Sequence, residues 1–248
     1  MYLTVRGLVL RVTDYNDRDA LITLLTQDRG RLCVKARGLR RKNSPLNAPC
    51  QLLAYGEFTL FAYKDAYAIN EAQAMELFYG LRTDIEKLSL GTYFAQVSEV
   101  ISQEDMPNPQ LLTLTLNALY ALSKLDVPQL QVKAAFELRC ACLAGYTPDL
   151  SSCHVCGEVN ADRFDVSDGR LVCTRGHGEE SAGLRMPISV GVLQAMRYIV
   201  SCDIQSLLSF RLSGDSVRNL SQVTEVYLST QLERGFSTLD FYKSLFIS

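Results

Sequence analysis

The strongest constraint on the fold of this chain is a change in hydrophobic period near residue 80. Between residues 3 and 77, apolar and polar residues alternate with a period close to two, in short segments separated by turn-forming residues. From Asp84 onward, the apolar residues recur at helical spacing instead. Alternation predicts half-buried strands, whereas a period of 3.6 predicts helices. We therefore expect an α+β protein whose strands precede its helices.

The first 80 residues are expected to form a small closed barrel. Five short strands without a long helix between them favour such a barrel, and the oligonucleotide-binding (OB) fold is one five-stranded form. We predict that residues 1–80 are an N-terminal five-stranded OB-fold β-barrel domain that binds DNA. The predicted strands are 3–15, 20–26, 31–38, 51–63 and 67–77.

The remainder of the chain is expected to form a helical bundle with a small insertion. Proline and glycine separate the helical segments, as they commonly do at helix ends. We predict an α-helical domain made of residues 81–150 and 183–248, interrupted by a zinc-ribbon-like element at 151–182. The predicted helices are 84–103, 111–125, 129–145, 188–202 and 215–234.

Positive charge is concentrated in residues 29–42, which we call the basic strip. The whole chain has a formal net charge of −2, but the strip holds seven basic residues and no acidic one. Such a concentration on an acidic protein points to one polyanionic contact, and nucleic acid is the commonest such partner. The candidate DNA-binding residues are Arg29, Arg31, Lys35, Arg37, Arg40, Arg41 and Lys42.

Alternation along the third predicted strand places its cations on one face. The other cations of the strip follow in a polar, proline-containing loop at 39–49. Cations spaced along a sheet edge and a loop can follow phosphates and displace their counterions. The alternatives are a solvated basic loop or a protein–protein contact.

Aromatic residues of the predicted barrel lie outside the basic strip. Some could stack on bases, but their alternation within strands predicts that most belong to the core. These residues are Tyr2, Tyr15, Tyr55, Phe58, Phe61, Tyr63 and Tyr67.

Three of the eight cysteines have the spacing of a structural metal site. Cys153 and Cys156 form a CxxC pair, and Cys173 follows after a 16-residue gap that contains an Asp-Gly turn. Two ligand pairs joined by a hairpin can surround tetrahedral zinc. Gly176 stands where a fourth cysteine would fall, so His177, or less plausibly His154, would complete the site. The alternative is a degenerate ribbon without metal. The other five cysteines are expected to be small core residues.

The chain shows no motif for catalysis, secretion or membrane insertion. It lacks a Gly-rich phosphate loop, HExxH, a nucleophile elbow and G-x-G-x-x-G, and both of its histidines lie in the predicted ribbon. An aspartate cluster at 14–19 is expected to form a turn rather than a metal site. No signal peptide and no uncharged apolar run of 18 residues is present. We therefore expect a non-enzymatic, cytoplasmic and nucleoid-associated protein.

The order of these features resembles a known family, the bacterial DNA repair and recombination mediator RecO. The resemblance extends over nearly the whole chain, with Ser44 following the second of its matching segments. Those segments are GLVLRVTDY, LITLLTQDRGRLCVKARGLRR, LRTDIEKLSLGTYF and FELRCACLAGYTPDLSSCHVCG (136–157).

The resemblance implies an OB barrel, a helical domain and a small zinc-binding element. It also implies binding of single- and double-stranded DNA, annealing of complementary strands, and cooperation with RecR in loading RecA onto DNA covered by single-strand-binding protein (SSB). A receptor for the acidic SSB C-terminal tail should offer cations beside an apolar groove. The candidates for that contact are Lys124, Lys133 and Arg139.

Two other classes of function stay open at this level. One is a scaffold whose main task is protein docking, with DNA contact incidental. The other is an enzyme that acts on nucleic acid, for which no catalytic motif is present.

Overall fold

The computed structural model describes residues 1–64, 66–174 and 183–246. Its contacts group the chain into two compact units, Met1–Leu125 with Phe236–Ser248, and Asp126–Gly235. The α+β class with an N-terminal barrel is confirmed. The predicted domain bounds at residues 80, 150 and 182 follow the type of secondary structure rather than packing, and they stay a proposal.

The first five strands close into a barrel in the order β1-β2-β3-β5-β4. The long β1 pairs antiparallel with both β2 and β4, which brings the two ends of the sheet together. β3 and β5 close the other side as a parallel pair. This is the five-stranded OB arrangement expected from the sequence. The strands are β1 (Tyr2–Asp14), β2 (Ala20–Thr26), β3 (Arg31–Ala36), β4 (Tyr55–Tyr63) and β5 (Ala66–Glu76).

Side-chain alternation on β3 separates the barrel core from the surface. Leu32, Val34 and Ala36 are buried, while Cys33 is exposed and Lys35 is half-buried. The inward residues join a core with Ile22, Leu24, Phe58 and Leu60 from neighbouring strands. The face of the strip predicted from the sequence is therefore the outer face of β3.

The helices follow the barrel at the positions where the sequence predicts them, with two additions. α1 is only four residues long, and α7 lies beyond the last predicted helix. None of the helices in the described ranges is both long and apolar enough to span a membrane. The helices are α1 (Tyr79–Arg82), α2 (Ile85–Ile101), α3 (Pro109–Lys124), α4 (Gln129–Leu143), α5 (Val190–Ser201), α6 (Gly214–Gln231) and α7 (Ser237–Ser244).

Capping residues define where the two long helices of the first unit begin. The Asp84 carboxylate accepts hydrogen bonds from two backbone N–H groups at the start of α2. The Asn108 side chain accepts one from Leu111 at the start of α3, where Pro109 occupies the first helical position. α7 packs on α2, with the Phe236 ring edge-on to Tyr93 at 5.5 Å between centroids.

The second unit packs three helices with a four-stranded sheet of order β6-β8-β7-β9. The hairpin expected between Cys156 and Cys173 is present as the antiparallel pair β7–β8. The two outer strands extend it on either side. These strands are β6 (Asp149–Cys153), β7 (Arg163–Asp165), β8 (Arg170–Val172) and β9 (Arg185–Pro187).

A buried charge network joins α4 to α6. The Lys133 ammonium is 2.9 Å from a carboxylate oxygen of Glu137 and 2.9 Å from one of Glu225. Thr224 donates a 2.8 Å hydrogen bond to Glu137. Burial raises the pKa of Glu137, while the nearby Lys133 charge opposes that rise. The network fixes the pairing of the two helices and leaves Lys133 only 2% exposed.

Candidate nucleic-acid interface and cysteine cluster

The basic strip passes through β3 and continues into a loop at Gly38. Gly38 has a φ of 68°, a conformation that L side chains rarely adopt, so the chain can leave the strand abruptly. Gly30, at the other end of β3, also has a positive φ, and an added Cβ there would lie 2.4 Å from the carbonyl oxygen of Met106. Two glycines thus bound the strand half of the strip.

Four cations of the strip form no ion pair with any residue in the described ranges. All four are exposed, one before β3 and three after it. Their charge is available to a ligand without loss of an internal contact. These residues are Arg29, Arg37, Arg41 and Lys42.

The other three cations of the strip have internal partners. Arg31 donates a 2.8 Å hydrogen bond to the carbonyl oxygen of Glu99 and lies 3.5 Å from the Glu104 carboxylate. These contacts join β3 to the end of α2 and the segment that follows it. Arg31 therefore stabilises the first unit, and its charge is less available than that of the exposed cations.

Lys35 and Arg40 contact the loop between β1 and β2. The Lys35 ammonium is 3.2 Å from Asp19, and the Arg40 guanidinium is 3.3 Å from Asp14. Asp19 also accepts a 2.9 Å hydrogen bond from the Gly38 backbone N–H. That hydrogen bond, together with Lys35, lowers the pKa of Asp19. Asp14 at the end of β1 and Asp19 in the loop thus hold this turn against the strip, in agreement with the turn role expected for the aspartates.

We predict that Asp14→Asn strengthens DNA binding by roughly two- to fivefold at low salt. The change removes an exposed negative charge beside Arg40, and an exposed pair of charges is worth about 1 kcal/mol or less. Fluorescence anisotropy with a labelled oligonucleotide measures the effect. The matched control is Asp215→Asn, which neutralises an exposed aspartate paired with Arg218 in the second unit. An equal gain in both variants would contradict the assignment of Asp14.

The aromatic side chains of the barrel are more exposed than expected from the sequence. Of the seven, only Phe58 is fully buried, and Tyr55 and Tyr67 are half-buried. The prediction that most belong to the core is wrong because the exposed rings of β1 and β4 lie on the outer face of the barrel, alternating with core residues such as Phe58 and Leu60, and Tyr15 follows β1 in a loop. The exposed ones are Tyr2, Tyr15, Phe61 and Tyr63.

The structure brings the three ribbon cysteines together. The Sγ atoms of Cys153, Cys156 and Cys173 all lie within 4.8 Å of one another, and those of Cys156 and Cys173 are 3.8 Å apart. Tetrahedral zinc with Zn–S bonds of roughly 2.3 Å places its sulfur ligands about 3.8 Å apart. The three thiols therefore fit three corners of a zinc site.

The protein environment shifts the pKa values of Cys153 and Cys173 in opposite directions. Burial raises the pKa of Cys153, but hydrogen bonds from the backbone N–H groups of Cys156 and Val155 outweigh it, and the pKa falls to about 6. Burial, followed by the neighbouring cysteines, raises the pKa of Cys173 to about 12. Cys153 therefore ionises more easily than Cys173. A bound metal cation would stabilise the thiolate form of all three cysteines.

Only one of the two histidine candidates for the fourth ligand lies within the described residues. His154 is not part of the thiol cluster, and its ring Nδ1 lies 3.2 Å from the carbonyl oxygen of Leu171, to which it donates. His177 and Gly176 lie outside the described residues. His177 stays the predicted fourth ligand.

The five remaining cysteines are not all core residues. Cys50 and Cys140 are buried, whereas Cys142 and Cys202 are only half-buried. Cys33 is exposed on the outer face of β3, within the basic strip. The prediction of a core role is wrong for Cys33, because it shares the strand face of Arg31 and Lys35.

The three predicted partner-contact residues have different environments. Lys124 is exposed at the end of α3 in the first unit. Arg139 is half-buried in the second unit and donates hydrogen bonds to the carbonyl oxygens of Ile199 and Val200, at 3.3 and 2.8 Å. Lys133 is buried in its charge network, so its ammonium cannot meet a partner while α4 and α6 stay packed. We therefore leave Lys133 out of any proposed contact surface.

The fold and site define a class of protein, an OB-barrel chain with a cationic outer strand, followed by helices and a ribbon-like sheet with a thiol cluster. Comparison with known families identifies that class further. Residues 1–78 match the family described as Recombination protein O N terminal, and residues 82–240 match Recombination protein O C terminal. The chain belongs to the RecO family of DNA repair proteins.

Curated relatives agree with this assignment over the full length. The DNA repair protein RecO of Acetivibrio thermocellus is 35% identical over 98% of this chain and 97% of its own length. The RecO protein of Alkaliphilus metalliredigens is 28% identical over 99% of this chain and 100% of its own length. That of Desulfitobacterium hafniense strain DCB-2 is 28% identical over 92% of this chain and 85% of its own length.

Proposed function

We propose that this chain is a DNA-binding recombination mediator of the RecF pathway that binds single- and double-stranded DNA through the basic strip. The observation that carries the proposal is the set of four exposed cations that flank β3 of the OB barrel and form no ion pair within the described ranges. OB barrels bind oligonucleotides on the face of strands 2 and 3 and with the adjoining loops. The strip occupies that face.

The charge distribution suits annealing of complementary strands. A cationic surface lowers the repulsion between two phosphate chains, while few base contacts leave the bases able to pair. The acidic balance outside the strip disfavours wrapping of DNA around the whole protein. Annealing breaks and forms no covalent bond, so this function needs no catalytic residue.

Membership of the RecO family supports a role with recombination partners. We propose that the chain acts with RecR to load RecA onto single-stranded DNA covered by SSB, in the bacterial cytoplasm at the nucleoid. The acidic, apolar-tipped SSB tail requires a cation and an apolar groove. Lys124 and Arg139 stay the candidate cations. Of the two, Lys124 belongs to the first unit, which also contains an apolar groove lined by Ile85, Leu88 and Phe241.

We propose a structural zinc ion held by Cys153, Cys156 and Cys173, with His177 as the fourth ligand. The separations of the three sulfur atoms support it. A bound zinc ion would cross-link β6 and the segment after β8, two short elements that have few other means of stabilisation. Its role is structural, because DNA binding through the strip requires no metal chemistry.

The exposed Cys33 offers a direct test of DNA binding at the strip. We expect single-stranded DNA to slow alkylation of Cys33 by at least fivefold at low salt, because Cys33 lies between Arg31 and Lys35 on the outer face of β3. Peptide mapping by mass spectrometry gives the rate at each cysteine of the unmodified protein. Half-buried Cys202, which lies in the second unit outside the thiol cluster, is the internal control, and DNA should not change its rate. Equal rates at Cys33 with and without saturating DNA would contradict the proposal.

Protein docking is the second candidate function, and one observation favours it. Tyr2 and Phe61 are paired across β1 and β4 with ring centroids 5.3 Å apart, and they are 61% and 39% exposed. Exposed aromatic pairs are typical of protein interfaces. Tight binding of a protein partner by a chain that binds no DNA at low salt would favour this function over the first.

A further inference from the structure

We infer that Tyr15 is a base-stacking residue beside the basic strip, and that it makes this interface select unpaired nucleotides. The inference rests on the proposed DNA binding and adds a base contact to a surface that is otherwise cationic. Tyr15 follows β1 directly, at the start of the loop that leads to β2. In OB barrels, this loop borders the nucleic-acid face.

The geometry places the Tyr15 ring directly beside the strip. The Lys35 ammonium lies 4.5 Å from the ring centroid, so one face of the ring contacts a cation of the strip. The ring is nevertheless 57% exposed, which leaves much of its surface open to a ligand. A large, exposed aromatic ring next to a lysine is typical of sites where a base stacks while its phosphate is neutralised.

The backbone around Tyr15 is held in place before any ligand binds. The Tyr15 N–H donates to the carbonyl oxygen of Asp19, at 3.1 Å. The Asn16 carbonyl oxygen accepts a 3.1 Å hydrogen bond from Arg40, and Asp19 binds Lys35 and the Gly38 N–H. The loop and the strip therefore form one cross-linked surface. A loop that is already held by such contacts loses less entropy on binding than a mobile one.

Stacking on Tyr15 is possible only for a base that is not already stacked in a duplex. In double-stranded DNA the bases are enclosed between their neighbours, so a duplex can use the cations but not the ring. The ring therefore strengthens binding of single strands alone. During annealing, the paired product loses this contact, which favours its release from the strip.

The absence of tryptophan from the chain makes a direct test possible. In the Tyr15→Trp variant of the full chain, all indole emission comes from position 15. Titration with oligothymidylate should quench this emission, with the same midpoint as binding measured by anisotropy. Tyr120→Trp is the matched control, since Tyr120 is 49% exposed on α3, and its emission should not change.

A second set of variants separates base stacking from charge. We expect Tyr15→Ala to weaken binding of a single-stranded oligonucleotide by about tenfold, a loss of roughly 1.4 kcal/mol, and Tyr15→Phe to change it by less than about twofold. Neither variant should change the affinity for an abasic strand of equal length or for a duplex. Comparison of the thermal unfolding midpoints of the variants confirms that they are folded.

The possible outcomes distinguish this inference from the proposed function. If the wild-type protein binds the oligonucleotide but Tyr15→Ala binds it equally well, the stacking role is wrong and the DNA interface stands. An equal loss on normal and abasic strands would also overturn stacking. If the wild-type protein binds neither single strands nor duplex at low salt, the proposed function itself fails.

Discussion

Simultaneous replacement of Arg37, Arg40 and Arg41 by alanine is expected to weaken DNA binding about 100-fold at low salt. A hydrogen bond to a charged group contributes on the order of 1 kcal/mol or more, so three contacts amount to about 3 kcal/mol. The loss should be similar for all sequences, because contacts to phosphate carry no sequence information. Anisotropy titrations with labelled oligonucleotides of two unrelated sequences measure it.

The salt dependence provides a second readout from the same titrations. Each phosphate contact on a single strand contributes roughly −0.7 to the slope of log K against log salt, so the triple variant should flatten that slope by about 2 units. Arg40 is paired with Asp14, and its share should be smaller than that of Arg37 and Arg41.

A charge-matched control separates a local interface from general electrostatic attraction. Arg170, Arg211 and Arg218 are exposed cations of the second unit, outside the strip, and their replacement by alanine changes the net charge by the same amount. This control should keep wild-type affinity to within about threefold. An unchanged affinity and salt slope in the strip variant would contradict the assignment of the basic strip.

Cys153→Ser is expected to abolish zinc binding and to destabilise the second unit. The wild-type protein, purified without a chelator, should contain about one zinc ion per chain, and the variant almost none. A ligand present at a thousand times its dissociation constant stabilises the folded state by about 4 kcal/mol, and this contribution is lost with the metal. Elemental analysis and chemical denaturation measure the two effects.

Cys202→Ser is the matched control for the cysteine cluster. Cys202 is half-buried at the end of α5 and lies outside the cluster, so its replacement should leave the zinc content unchanged. A chelator should lower the stability of the wild-type protein and of this control, but not that of Cys153→Ser. Wild-type protein that contains no metal would contradict the zinc proposal.

Much of the first unit could be predicted from the sequence because its signals are local. Alternation on residues 31–36 correctly separates Leu32, Val34 and Ala36 from the cationic face of β3. What could not be predicted is which cations of the strip are free. Arg31 is paired through Glu99 and Glu104, about 70 residues away in sequence, and no local pattern reveals such contacts.

The burial of Lys133 could be predicted from its sequence neighbours, although lysine is usually exposed. Five of the seven residues from Val132 to Leu138 are apolar, and apolar residues on all sides of a helical turn indicate that the turn is buried. A lysine in such a helix requires a buried acidic partner. Glu137, four residues later, is that partner.

The elements that sequence analysis missed are short ones stabilised by distant contacts. β6 has five residues and β9 has three, and each forms only by pairing with a strand of the central hairpin. α7 has eight residues with mixed polarity, and its place is set by packing against α2. Local propensity is too weak to identify segments of this kind.

The exposure of Tyr15 and Cys33 is visible only in the structure and could not be predicted from the sequence. Both residue types are usually buried or half-buried, and the sequence favoured a core role for each. Their presence among the cations of the barrel surface gives a base-stacking candidate and a chemical reporter within one interface.

Strand annealing by the unmodified chain tests the central claim most directly. Two complementary oligonucleotides, each carrying one dye of an energy-transfer pair, are mixed with and without SSB. We expect the wild-type protein and the Arg170, Arg211 and Arg218 control to accelerate annealing, whereas the Arg37, Arg40 and Arg41 variant does not. No acceleration by the wild-type protein, or equal acceleration by the strip variant, would contradict it.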